Sequence, residues 1–464
     1  MNLLARSCLL GLCLPVLVTA LSLRAQTPVL VITNPAPSGN EDFGSRVSVV
    51  GESLFIAAPG DEGFAGSVHV HDLQGAPIRT LTNPTPALGS FFGMALVPLG
   101  SDQLLISAPL SAPPPAGQSG AVHLFHTNGT LIRTFRHPRG QRSAVFGGEI
   151  AAMGDDRVLI GSILDDLAGP GGGAAYLYRT DGVLLATFPN PSPVPQSRFG
   201  AAFAVLGSDR FLVGAPGDPF RGVAGVVHLF SADGSLLRTL NDPNGLSDSS
   251  FGATLVRLGG DRILIGAPSA NVEAPGAGAA NIFDSDGRIL APVFNPEPAL
   301  NDGFGSPAMA VGDDQVLIGS TRRSPELFGF RTEAYLFSTN GTLLLTLPIQ
   351  PVSITANNAF AYLPPDRVLI GVPGANLTSE EVNANSGAAY LFRLAPALKA
   401  ALTKAGPIQL SWPSPWTGWS LQERSVLASD GWQPVLGLPE DDGARKLVPV
   451  SPDGSERHFR LFKP

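Results

Sequence analysis

Three features of the 464-residue sequence predict an all-β protein, a seven-bladed β-propeller followed by a small β-sandwich-like module. A Phe-Gly pair recurs in register six times at intervals of 49 to 54 residues, a period typical of propeller blades. A small-residue corner follows each pair by about fifteen residues and appears a seventh time. Glycine and proline make up about a fifth of the chain while hydrophobic residues reach 44%, which indicates short strands and many turns rather than disorder.

The first element, residues 1–25, is typical of a secretory signal peptide, with Arg6 ahead of an apolar stretch. Cleavage is expected after Ala25, with Ala20 as the alternative. Both cysteines lie in this segment, so the mature chain is expected to form no disulfide and no thiolate metal site. We therefore expect a secreted or cell-envelope-associated protein, and no later apolar run is long enough for a transmembrane segment.

Residues 26–394 are expected to form the propeller, with four strands in each repeat. The Phe-Gly pairs are Phe43-Gly44, Phe92-Gly93, Phe146-Gly147, Phe199-Gly200, Phe251-Gly252 and Phe304-Gly305. Each Phe is expected to open an innermost strand, where its ring can pack between neighbouring blades. In the fourth repeat the expected strands are Ala201 to Leu206, Arg210 to Gly214, Val226 to Phe230 and Leu236 to Leu240. These runs of apolar and β-branched residues are separated by Gly, Asp, Asn and Pro, as in an antiparallel meander. Most third-to-fourth turns carry Asn-Gly or Asp-Gly, which adopt positive φ at little cost.

The two ends of the repeat array predict a closed ring. The seventh repeat has Ala356-Asn357 in place of Phe-Gly and stops after its third strand, Ala388 to Phe392. The segment Val29 to Thr33 matches the fourth strands of other repeats. We therefore expect it to pair beside Ala388 to Phe392 and complete the last blade, since closure removes an exposed sheet edge.

Phe-Gly followed by Gly-Ala-Pro, as at Phe199-Gly200 and Gly214-Ala215-Pro216, resembles the FG-GAP repeats of integrin-α-type β-propellers across residues 28–394. In integrin-like versions a calcium loop, Asp-x-Asn-x-Asp-Gly, lies between the two motifs. Here the corresponding turns are short, as at Gly154-Asp155-Asp156, and one or two carboxylates cannot supply the six to eight oxygens that calcium takes. The resemblance therefore implies the calcium-free bacterial secreted variety.

We assign no catalytic, cofactor-binding or metal-ligating residue from the sequence. His69, His123 and His228 share one third-strand position with Tyr176, Tyr335 and Tyr390, which indicates a packing position. The remaining histidines, which include His137, form no ligand spacing. Three carboxylate pairs follow small-residue corners and are expected to be solvated: Asp61-Glu62, Asp165-Asp166 and Glu380-Glu381. No nucleophile motif is present.

The fourth-to-first and second-to-third loops are expected on one face of the propeller, and they vary most in length. The long ones are Leu110 to Gln118, Arg139 to Ala144, Leu164 to Gly172, Arg322 to Phe330 and Gly374 to Asn385. Loops on a rigid scaffold commonly bind partners. A net charge of −8 without a basic block argues against nucleic acid. The sequence therefore favours a non-enzymatic binding protein for an unknown extracellular protein or glycan; the alternative is an extracellular polysaccharide lyase or glycoside hydrolase.

Composition changes at residue 395, and residues 395–464 hold all four tryptophans and all four lysines. Five short strands are expected there: Ile408 to Trp412, Trp419 to Glu423, Trp432 to Leu436, Leu447 to Val450, and His458 to Phe462. About 70 residues can form a small antiparallel sandwich around an aromatic core. Core packing is the favoured use of the tryptophans, and carbohydrate stacking is the alternative.

Overall fold

A computed structural model divides the chain into two compact units. The first comprises Pro28–Leu363 and Arg367–Phe392, and the second contains Pro364–Asp366 and Arg393–Pro464. The structure describes residues 27–35, 37, 41–111, 119–324, 329–353, 358–375, 386–396, 398–402, 408–414, 416, 418–425, 431–435, 437–443, 445–450 and 457–463. The expected signal peptide and the Ala356-Asn357 pair lie outside these ranges. Within them, no helix has the length and apolar character needed to cross a bilayer.

The first unit contains seven four-stranded antiparallel sheets, which are the seven predicted blades. The strands of blades 1 to 3 are Arg46–Val50, Ser53–Ala58, Ser67–Asp72, Pro77–Thr82; Leu96–Leu99, Gln103–Ala108, Ala121–His126, Leu131–Arg136; Phe146–Met153, Arg157–Ser162, Ala174–Arg179, Leu184–Pro189. Those of blades 4 to 6 are Ala202–Leu206, Arg210–Ala215, Val226–Ser231, Leu236–Asn241; Thr254–Leu258, Arg262–Ala267, Ala279–Phe283, Ile289–Phe294; Ala308–Val311, Gln315–Ser324, Gly329–Ser338, Leu343–Ser353. Two short helical turns, Asp61–Phe64 and Pro219–Arg221, lie in second-to-third loops.

Blade 7 joins the two ends of the propeller. Its strands are Ala359–Leu363, Arg367–Val372, Ala388–Arg393 and the N-terminal Leu30–Thr33. Leu30 pairs with Leu391 and Thr33 with Ala388, and the Val29 N–H donates to the Leu391 carbonyl at 2.7 Å. The innermost strands contact one another in sequence around the ring, and the last contacts the first. The predicted closure is therefore confirmed.

The six Phe side chains of the Phe-Gly pairs are fully buried, but their position differs from the expected one. We expected each Phe to open an innermost strand, and only Phe146 does so. In the other blades the strand begins three or four residues later, as at Phe199 and Ala202. In all six pairs the glycine has a positive φ, 93° at Gly200, so the chain turns directly after the buried ring.

Neighbouring blades meet backbone to backbone at these pairs. A Cβ on Gly161, at the small-residue corner of blade 3, would lie 2.1 Å from the Gly200 carbonyl oxygen of blade 4. A Cβ on Gly173, just before the third strand of blade 3, would lie 2.2 Å from the Phe199 oxygen. At Gly161 and Gly173 only glycine permits these approaches, so Phe199-Gly200 and the preceding corner form one junction.

Blade 6 differs from the sequence prediction. The expected loop from Arg322 to Phe330 is largely a strand extension, in which Arg322 pairs with Arg331 and Ser324 with Gly329. The fourth strand also extends to Ser353, which pairs with Phe330. The extension forms because residues 320–324 contain neither Gly nor Pro and include a β-branched threonine. Gly329 accordingly opens a strand rather than lying in a loop.

The second unit is a pair of antiparallel sheets that share one apolar core, which includes Leu410, Leu421 and Val450. The strands of one sheet are Lys399–Leu402, Ile408–Pro413, Arg445–Val450 and Glu440–Asp441, and those of the other are Gln433–Pro434, Ser420–Ser425 and Arg457–Phe462. Trp412, Trp416 and Trp419 are buried, as core packing predicts. Trp432 remains half-buried.

Candidate binding face

The fourth-to-first and second-to-third loops lie together on one face of the propeller, which we call the loop face. In several blades the N–H group that begins the second-to-third loop donates to a carbonyl of the fourth-to-first loop. Gly60 donates to Glu41 at 3.0 Å, and Gly217 donates to Ser197 at 3.1 Å. These bonds confirm the predicted sharing of a face, and they fix the base of each loop pair.

In several blades a buried asparagine where the fourth strand ends anchors the fourth-to-first loop. Asn190 Nδ2 donates to Ser197 Oγ, seven residues later, at 2.8 Å and to the Gly172 carbonyl at 2.9 Å. Asn295 Nδ2 donates to Asp302 Oδ2, again seven residues later, at 2.9 Å. The recurring Asn-Pro dipeptide is the sequence signal for this anchor, which the sequence analysis missed.

After the fourth strand of blade 2 the asparagine is replaced by His137, which belongs to a buried charged cluster around Asp165 of blade 3. His137 Nε2 lies 2.7 Å from Asp165 Oδ2, Tyr176 donates its hydroxyl to the same oxygen, and Arg139 donates to Oδ1. Burial by itself would raise the pKa of Asp165, but the hydrogen bonds from His137 and Tyr176 outweigh it and lower the pKa. Asp165 and His137 have no exposed side-chain surface, so the expectation that Asp165 is solvated is wrong.

This cluster is built for anchoring rather than for acid–base chemistry. His137 Nδ1 accepts N–H groups from Arg139 at 3.2 Å and Gln141 at 3.3 Å, so Nε2 must carry the proton that Asp165 accepts. Both ring nitrogens are thus occupied and shielded from solvent. A general base needs a free nitrogen within reach of substrate. The cluster instead holds the loop after His137 against the loop that contains Asp165.

A second polar cluster contains Asp61, Ser67 and His69 but lacks the geometry of a nucleophilic triad. His69 Nε2 lies 3.0 Å from both Ser67 Oγ and Asp61 Oδ2, and the Ser67 hydroxyl also donates to Asp61. A triad requires serine and aspartate on opposite nitrogens of the ring. Here Nδ1 faces the Thr80 hydroxyl at 3.3 Å, so Ser67 has no activating base.

His123 and His228, at the position equivalent to His69, are core residues. Their Nδ1 atoms lie 3.0 and 2.9 Å from threonine hydroxyls, while neither Nε2 has a hydrogen-bond partner among the described residues. Desolvation lowers the pKa of each ring to about 4. Each ring packs 5.8 Å from the Phe of the Phe-Gly pair of its own blade, Phe92 or Phe199. This burial agrees with the predicted packing position.

The remaining carboxylates do not converge. Asp166 and Glu62 are exposed, while Glu380-Glu381 lies outside the described residues. Glu149, on the innermost strand of blade 3, has its pKa raised by desolvation to about 7, against the opposing charge of Arg46. Over the described ranges, no three Asp, Glu, His or Cys side chains are placed to hold a metal ion.

The exposed surface of the loop face is rich in apolar side chains. Six large ones stand on six different loops, with exposed fractions from 38% to 98%: Phe64, Leu88, Leu164, Val194, Phe220 and Leu300. Phe64 and Phe91 pack with ring centroids 5.3 Å apart. Other exposed aliphatic residues of the propeller lie mainly on its outermost strands.

Fold and site together define a closed seven-bladed β-propeller with anchored loops and an apolar loop face. Among solved structures, acylaminoacyl peptidase of Pyrococcus horikoshii aligns with 84% of this chain at 10% sequence identity and a TM-score of 0.45. The chain spans 59% of the length of that peptidase. No protein-family model and no curated protein matches the sequence.

Proposed function

We propose that this protein is a secreted, non-enzymatic binding protein on an FG-GAP-type propeller, and that the loop face contacts an extracellular protein or glycan. The observation that carries the proposal is the set of six exposed apolar side chains on six loops of one face. Exposed apolar side chains that are grouped on one face of a scaffold are typical of interaction sites. The propeller has 20 of the 30 Lys and Arg residues but 31 of the 38 Asp and Glu residues, which disfavours nucleic acid as the partner.

The anchored loop bases support binding rather than catalysis. Because Asn190, Asn295 and Asp165 hold the loops in place before any partner arrives, little loop entropy would be lost on association. In the Asp165 cluster the same bonds occupy both ring nitrogens of His137. A polysaccharide lyase or glycoside hydrolase would need two carboxylates, or a base and an acid, that face a substrate.

The test is a protein and glycan array probed with the mature chain and two matched double variants. Leu88→Asn with Leu300→Asn alters the loop face, whereas Leu237→Asn with Leu290→Asn alters two exposed leucines on outermost strands. We expect the first pair to weaken capture of the array ligand by about tenfold or more and the second to leave it unchanged. Equal losses from both pairs, or turnover of a polysaccharide by the unaltered protein, would contradict the proposal.

A further inference from the structure

The three-stranded sheet of the second unit has one face in the core and one in solvent. Leu421, Phe459 and Leu461 pack into the apolar core. Their sequence neighbours point to the opposite face, because side chains alternate along a strand. Directly paired residues share that outer face: Ser420 with Phe462, Gln422 with Arg460, and Arg424 with His458.

Two guanidinium groups on this outer face are held against one indole ring. The Arg460 guanidinium carbon lies 4.5 Å from the ring centroid of Trp432, and that of Arg424 lies 5.4 Å from it. Arg460 also lies 5.5 Å from the Phe462 ring, and its Nε donates to Gln422 Oε1 at 2.9 Å. The cation–π contacts restrict both arginines, and the bond to Gln422 further restricts Arg460. Among the described residues, the terminal Nη atoms of Arg460 have no hydrogen-bond partner.

Among the described residues of the sheet, no negative charge on this face balances the positive charges of Arg424 and Arg460. Glu423 lies on the opposite face, where it pairs with Arg457 at 3.2 Å. Among the described residues of the sheet, the outer face thus carries Arg424 and Arg460 but no carboxylate. Their guanidinium carbons lie within about 10 Å of each other, since each is near the same ring. Like charges so close favour an anion that bridges them.

We propose that this outer face binds an acidic polysaccharide through carboxylates on successive sugar rings. Restricted arginines with free Nη atoms suit oxyanion recognition, because guanidinium groups bond carboxylates in a bidentate way. The face is open rather than a closed pocket, which suits an extended chain. The net charge of −8 on the chain disfavours a long, densely charged polyanion such as nucleic acid more than a polysaccharide with one charge per ring.

The experiment measures binding of the whole mature chain to polygalacturonate and to its methyl ester, which has the same backbone without charge. The test variant is Arg424→Gln with Arg460→Gln, and the control is Arg133→Gln with Arg238→Gln on exposed outermost strands of the propeller. Both change net charge equally. We expect the unaltered chain to bind polygalacturonate but not its methyl ester. The affinity for polygalacturonate should fall by about tenfold or more in the test variant and by less than about twofold in the control.

A third variant, Trp432→Leu, separates charge from its placement. It keeps both arginines but removes the ring that holds them, so we expect an intermediate loss, with an unchanged thermal unfolding midpoint as the check on folding. Equal binding of the methyl ester, equal losses in the two arginine pairs, or no binding to polygalacturonate would overturn the proposal. Tighter binding to single-stranded DNA or to phosphatidylglycerol vesicles would overturn it as well.

Discussion

Replacing Phe199 with alanine tests whether the Phe-Gly pair holds adjacent blades together. The ring is fully buried in a cluster that contains Leu159 and Ala175 of blade 3 and Phe211 and Val213 of blade 4. The substitution leaves a cavity between the blades, while the neighbouring backbone is fixed by glycine contacts and cannot close over it.

The expected loss follows from this burial. Phe→Ala at well-packed sites costs about 3 to 5 kcal/mol, and the rigid junction places Phe199 within that range. The unfolding entropy is about 2.1 cal/mol/K per residue, and the propeller has about 360 residues, so the unfolding midpoint should fall by about 4 to 7 °C.

Differential scanning calorimetry of the mature chain measures this shift, with Phe64→Ala as the matched control. Phe64 is 42% exposed on the loop face, and its replacement should lower the midpoint by no more than about 1 °C. A shift of similar size in both variants, or no shift in Phe199→Ala, would refute the role of Phe-Gly as the junction between blades.

Three further predictions address backbone strain, pH and metal. Val145 directly precedes Phe146 and has a φ of 58°, and Gly303 holds the equivalent position in blade 6 with a φ of 61°. Val145→Gly should therefore raise the free energy of unfolding in urea by about 1 kcal/mol, and Gly303→Val should lower it. His123 and His228 have folded pKa values near 4, below the unfolded value of 6.5, so stability should fall as pH drops from 6.5 to 4; replacing both with Phe should flatten that slope in denaturation series. A chelator should leave the calorimetric midpoint unchanged, and a clear drop would reveal a bound metal.

Local sequence signals predicted the blades well because each strand is set by nearby residues. In blade 4 the observed strands differ from the predicted ones by no more than one residue at either end. Alternation, Gly corners and Asp-Gly turns act within about ten residues, so they can be read along the chain. Closure by Leu30–Thr33 was also predictable, since the missing fourth strand at one end matched the extra strand at the other.

The candidate site was less predictable because its contacts join distant segments. His137 and Asp165 are 28 residues apart, and only the shared face of their two loops brings them together. The blade 6 extension was missed because Arg322 and Arg323 read as loop residues, although pairing with Gly329–Ser338 satisfies their backbone. Trp432 was grouped with three core tryptophans, whereas it lies beside arginines on an exposed face.

The closure of blade 7 has a consequence for how the protein is made. During synthesis Leu30–Thr33 is made first, but the strand it pairs with lies about 360 residues later in the chain. Six blades can therefore form before these two strands pair. Bringing such distant segments together costs conformational entropy and slows the final step, during which the edge of Ala388–Arg393 is open to other chains. A circular permutant that begins at Arg46 and carries residues 28–45, which include Phe43-Gly44, directly after Arg393 would make this contact local, and should refold faster with less aggregation.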